Sequence, residues 1–98
     1  MASDAPAQSL RPGQLVTSRA GRDQGETFVV LAVLDDRFVL VADGRLRRVA
    51  HPKKKNARHL EARRASHAGL AERLAGGRAV SDREVRAAIL ELVDAEEA

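Results

Sequence analysis

The sequence predicts a mainly β domain: a small antiparallel sheet curled toward a barrel, followed by a C-terminal α-helical extension. Three observations predict it. Runs rich in β-branched and aromatic residues, 27–34 and 38–41, lie between polar turns, which is strand rather than helix patterning. Glycine, aspartate and proline punctuate the chain between such runs, at intervals too short for crossover helices. Beyond Glu61 the composition turns to alanine, arginine, glutamate and leucine, all good helix formers. With so few strands, the sheet is expected to close on itself to cover its apolar face.

Taken in order, residues 1–11 are expected to form a disordered N-terminus. The opening MASDAPAQSL has neither a basic start nor an apolar run, so no leader is expected. Arg11-Pro12-Gly13 is a turn into a short strand over residues 14–19. Two glycines in the polar hexapeptide 20–25 supply the positive φ of a tight turn. Residues 27–34 read as a central strand covered on both faces. Asp35-Asp36-Arg37 is a turn, and residues 38–41 are a further apolar strand. Asp43-Gly44 signals a type I′ hairpin, with residues 46–49 as the returning strand and a further short strand around residues 57–60.

The predicted barrel spans residues 12–62 and the helical extension residues 63–98. One helix is expected over residues 65–75, with Leu70, Ala71 and Leu74 on one face and Gly76-Gly77 ending it. Ser81 and Glu84 have capping-box spacing. Val85, Ala88, Ile89, Leu92 and Val93 then recur at helical spacing, giving a second, amphipathic helix over about residues 81–95. Its early acids suit the helix dipole, whereas Glu96 and Glu97 oppose it. The apolar stripe packs on the barrel or the preceding helix, or else faces a partner.

A chain of 98 residues buries one modest core and has little room for a large enclosed active site. Phe28 and Phe38 are its only aromatic residues, and it has no cysteine, hence no disulfide and no thiolate metal site. The longest apolar run, residues 28–34, is too short to cross a bilayer. The expectation is a cytoplasmic, monomeric protein with no membrane partner. His51, His59 and His67 lie eight apart, which suits neither a zinc knuckle nor a zinc-protease helix. The glycines at 21 and 25 lack the Gly-Lys-Ser/Thr of a phosphate-binding loop. No catalytic residue, cofactor or metal site is expected.

Charge distribution says more than its total. The formal net charge is +3, yet Arg45, Arg47, Arg48, Lys53, Lys54, Lys55, Arg58, Arg63 and Arg64 fall in one segment whose single acid is Glu61. The end of the chain is acidic instead. A hairpin would support the arginines, and Pro52 would restrain the lysine loop. A fixed electropositive surface of this kind binds phosphates. Lacking Trp and Tyr, the chain offers no obvious base-stacking platform, so phosphate and shape contacts to a folded RNA fit best.

Two blocks carry a family resemblance. The stretch QLVTSRAGRDQG (14–25), followed by Phe28-Val29-Val30, resembles a KOW motif built round one glycine, here Gly21. VADGRLRR (41–48), PKKKN (52–56) and His59-Leu60 are similar to bacterial KOW-domain RNA-binding proteins, relatives of a large-subunit ribosomal protein of archaea and eukaryotes. The resemblance implies an SH3-like barrel and RNA binding, often to ribosomal RNA. It points to Arg19, Gly21, Arg22 and Gly25 in the motif loop and to Lys53, Lys54, Lys55 and Asn56 beyond it. Arg45, Arg47, Arg48 and Arg58 join them on charge. The alternative is a protein-interaction module docking on a ribosomal or transcription-complex protein.

Overall fold

The computed structural model describes residues 9–97. The strands are β1 (Gln14–Ser18), β2 (Thr27–Val33), β3 (Phe38–Ala42), β4 (Lys53–Asn56) and β5 (Leu60–Ser66), and the helices are α1 (Ala68–Ala75) and α2 (Asp82–Glu97). Strands pair antiparallel in the order β4-β3-β2-β1-β5. The two helices hold nearly as many residues as the five strands, so the domain is mixed α/β rather than mainly β. The sheet is not closed into a barrel, since β4 and β5 lie at opposite edges. Only the three-residue 3₁₀ turn Ala57–His59 separates those edges along the chain, which makes the sheet curl. An extra residue in β2 between Val30 and Ala32 sharpens that curl.

The pleat of β1 and β2 explains the core. Val16, Phe28 and Val30 face the inside of the curl, where they meet Leu10, Val39, Val41, Ala57 and Leu60. Leu15 and Val29 point the other way and meet Leu70, Val80, Val85, Ala88 and Leu92. β2 is therefore covered on both faces, as its apolar run predicts. The second helix packs on the sheet, against β2 and β5.

Several expectations are corrected. Leu10 is 3% exposed, so chain order begins before residue 11; residues 1–8 lie outside the described residues. No strand forms over residues 46–49. Asp43 Oδ1 accepts the amides of Arg45 and Arg47, an aspartate side chain outcompeting the ladder for those donors. The strand returning to β3 is β4 instead, and the lysines ride on it rather than on a loop. Residues 57–59 are helical, and a strand runs to Ser66 where helix was expected. Tertiary pairing with β1 overrides the helix propensity of Glu-Ala-Arg-Arg-Ala in β5.

Helix α1 starts at Ala68, capped by His67, whose Nδ1 accepts the Leu70 amide at 3.1 Å. The capping box of α2 forms: Ser81 Oγ accepts the Glu84 amide at 3.1 Å and Glu84 Oε1 accepts the Ser81 amide at 2.9 Å. The anomalous acid at the far end of α2 also has an explanation. Glu96 accepts the Ala65 amide at 3.1 Å and pairs with Arg63 at 2.5 Å. It thereby covers a donor on edge strand β5, beside the irregular β1–β5 register.

Candidate nucleic-acid interface

Two loops frame the site. The first runs from Arg19 to Glu26 and joins β1 to β2; the second runs from Asp43 to Pro52 and joins β3 to β4. Between them lies an open cleft of about 380 Å³. Arg22, Asp23, Glu26 and Phe28 line one side, and Asp43, Leu46, Arg47 and Lys53 the other.

The first loop is pinned from below. Gly21 has φ of +87°, where any side chain would be strained, although a Cβ there would meet nothing closer than 3.6 Å. Backbone conformation, not space, demands glycine. Three of the loop's amides are already bonded: Gln24 to Gly21 and Glu26 to Asp23 within the loop, and Gly25 to Ser18 at the end of β1. They are not the bare anion-binding amides a motif loop suggests.

Asp23 holds the loop to β4. Lys55 Nζ lies 2.7 Å from its Oδ1, Ser18 Oγ donates to the same oxygen at 2.7 Å, and Lys53 Nζ sits 3.0 Å from Oδ2. That last contact is an ion pair without hydrogen-bond alignment, and Oδ2 is buried with no hydrogen-bond partner. Lys55 also donates to the Ala20 carbonyl at 2.9 Å. Burial pushes the Asp23 carboxyl up, but hydrogen bonds from Lys55 and Ser18, with the nearby Lys53 ammonium, outweigh it and hold the group well below the usual carboxylate range.

The lysine triplet is therefore split by the strand's alternation. Lys55 is 7% exposed and committed to Asp23, which removes it from the surface. Lys53 is half-buried beside it. Lys54 faces the other way, exposed, with its ammonium 4.6 Å from the Phe38 ring centroid. Asn56 caps the 3₁₀ turn, accepting the Arg58 amide at 3.0 Å. Arg58 is exposed, and its carbonyl accepts from the half-buried Arg19 guanidinium at 2.8 Å.

The second loop keeps its charge outside. Arg45, Arg47 and Arg48 are all exposed, and Leu46 between them is 86% exposed. The loop is nonetheless fixed. Asp43 and Gly44 amides both bond the Arg47 carbonyl. Helix α2 clamps the two ends: Arg86 donates to the Gly44 carbonyl at 2.7 Å, and Asp82 accepts the Val49 amide at 2.7 Å. A Cβ on Gly44 would lie 2.5 Å from the Asp82 carbonyl and 2.8 Å from Arg86 Cγ, so the close approach of helix to loop requires glycine. Gly44 also has φ of +79°, and among the described residues positive φ occurs at glycine alone. Asp43 thus lacks the conformation a type I′ turn needs.

Of the residues singled out in the sequence, Arg22, Arg47 and Lys53 meet at the cleft, and Arg45 and Arg48 flank it on the same loop. Lys54, Arg58 and Asn56 belong to the opposite edge region of β4 and its turn. Asp23 and Glu26 are legible in the sequence as acids that weaken phosphate contact at the motif loop; missed were the pairing of Asp23 with Lys53 and Lys55 and the clamps Asp82 and Arg86. One signal was available: an acid between the two glycines of the first loop and alternate lysines on a later strand. The three histidines lie on three separate elements, and no group of His, Cys, Asp or Glu among the described residues could hold a metal ion. Among them also, no helix is long and apolar enough to cross a membrane. Neither the protein-family models nor the curated proteins include a match to this chain.

Proposed function

We propose that this chain is a non-catalytic RNA-binding module that grips structured RNA, with the loop of Arg45, Arg47 and Arg48 as its main phosphate contact. The observation that carries the reading is the rigid outward display of these arginines. They stand exposed on a loop that α2 clamps at both ends, with no acid among them to neutralise them. A loop whose backbone is already held binds phosphate with a smaller ordering penalty. Arg22, Lys54 and Arg58 extend the attraction to either side.

Strand order β4-β3-β2-β1-β5 with a 3₁₀ turn between β4 and β5 supports reading the curled sheet as an SH3-like barrel left open at one seam. The KOW resemblance of the first loop gives the same reading and favours ribosomal RNA in the cytoplasm. A second reading, docking on a ribosomal or transcription-complex protein, draws on Leu90, 63% exposed on α2 above an acidic tail.

Binding of a folded ribosomal RNA fragment across a salt series tests the proposal. Wild type should bind with a steep salt slope, and Arg45, Arg47, Arg48→Ala should lower the magnitude of that slope by about 3. Identical weak binding by both proteins at low salt would turn the search toward protein partners.

A further inference from the structure

Phosphate does not suit the inside of the cleft, and we propose that the cleft holds one unpaired nucleobase bearing an exocyclic amine. This rests on the RNA reading above and names the part of the RNA that the cleft takes. Its walls carry three cations, Arg22, Arg47 and Lys53, against three carboxylates, Asp23, Glu26 and Asp43. Lys53 is already paired with Asp23. A phosphate placed here would meet carboxylates at short range, whereas Arg45 and Arg48, outside the cleft, offer charge without that repulsion.

Leu46 forms part of the wall and is 86% exposed. Covering that leucine with an apolar surface would remove its side chain from water, which is favourable. Phe28, itself 2% exposed, closes the base. The volume, about 380 Å³, falls in the range of roughly 300–1,000 Å³ usual for small-ligand sites. The occupant must then be neutral, flat enough to cover Leu46, and able to donate hydrogen bonds to carboxylates.

A splayed base meets all three conditions, since single-stranded bases are read on their edges and covered by side chains. Adenine, cytosine and guanine each carry an amine that donates to a carboxylate. Uracil carries none, and its one edge donor, N3–H, is flanked by two carbonyl oxygens that a carboxylate would repel. Asp43 Oδ1 already holds its own loop, so Glu26, exposed at the rim, is the acceptor the geometry points to. Arg22 and Arg47 would take the phosphates on either side of the flipped nucleotide.

The test uses the full chain with five RNA hairpins of one stem, four carrying a single bulged A, C, G or U and one fully paired. Anisotropy titrations should give roughly tenfold tighter binding to the A, C and G bulges than to the U-bulged and paired hairpins. Glu26→Ala, which removes the acceptor, should level the A, C and G bulges with U while leaving the salt slope in place. Leu46→Ala should weaken the amine-bearing bulges and leave the paired hairpin unchanged; circular dichroism checks that both variants fold. Equal binding of wild type to all five hairpins overturns the base site but leaves RNA binding intact. Absence of binding to every hairpin and to the ribosomal fragment overturns both.

Discussion

On β4 two of three consecutive lysines meet a carboxylate and are drawn inward, whereas on the next loop back three arginines in four residues stay in water. Asp23 makes the difference. It hangs from the first loop above alternate residues of β4, and a strand presents alternate residues to one face. The arginine loop has its own acid, Asp43, but that side chain bonds backbone amides and leaves the guanidiniums alone. Charge density in a sequence therefore does not measure charge at the surface. The lysines at 53, 54 and 55 are the only lysines in the chain, and a compact ammonium suits a shared carboxylate oxygen better than a planar guanidinium fork does.

The strongest way to break this contrast is to remove the acid. Asp23→Ala leaves the Lys55 ammonium buried without its counter-charge, and urea unfolding should show a loss of about 3 kcal/mol. A loss under about 0.5 kcal/mol, the size of an ordinary surface substitution, would mean that Lys55 relaxes to solvent and the latch is unimportant. Acid gives an independent check. Asp23 titrates well below its ordinary value of 3.8 in the folded state. Its stabilisation is thus complete above that value and disappears as pH falls toward the lower folded value. Wild type should lose stability across that window faster than Asp23→Asn does, measured by urea midpoint against pH.

Gly44 sharpens the other half of the comparison. Gly44→Ala puts a Cβ against the Asp82 carbonyl in a positive-φ position and should cost about 1–3 kcal/mol. Gly25 has similar φ with open space around it, so Gly25→Ala should fall at or below the low end of that range. A thermal melt of both variants decides whether the helix-to-loop contact adds to the backbone penalty. If the two variants melt together, the clamp by α2 is slack.

The residues also show what a sequence can reveal. The apolar runs, the turn at Asp35, the capping box and the glycine stop after α1 are local signals, and local physics decides them. From Glu61 on, the residues of β5 have helical propensities, and the sequence starts a helix at residue 65; only pairing with β1, set by the whole sheet, carries the strand to Ser66. The site divides in the same way. The arginines of residues 45–48 are legible as exposed charge. The fate of Lys55 depends on Asp23, far away in sequence, and the loop's rigidity on Asp82 and Arg86 from a helix that reads as a separate extension.

Lys54 gives the smallest and most discriminating effect. It belongs to the triplet by sequence but to the exposed class by geometry, with its ammonium over Phe38. An exposed cation–π contact contributes about 0.5–1 kcal/mol, so Lys54→Ala should lower stability by no more than that. If surface position governs function, the same variant should reduce the magnitude of the RNA salt slope by about 1, because one phosphate is no longer neutralised. Lys55→Ala should behave in reverse: a large stability loss, and an unchanged slope once measured at a temperature where it is folded. Equal slopes for wild type and Lys54→Ala would confine the RNA to the arginine loop. A slope reduction in Lys55→Ala as large as in Lys54→Ala would show that Lys55 leaves Asp23 when RNA binds, making the latch part of the binding event.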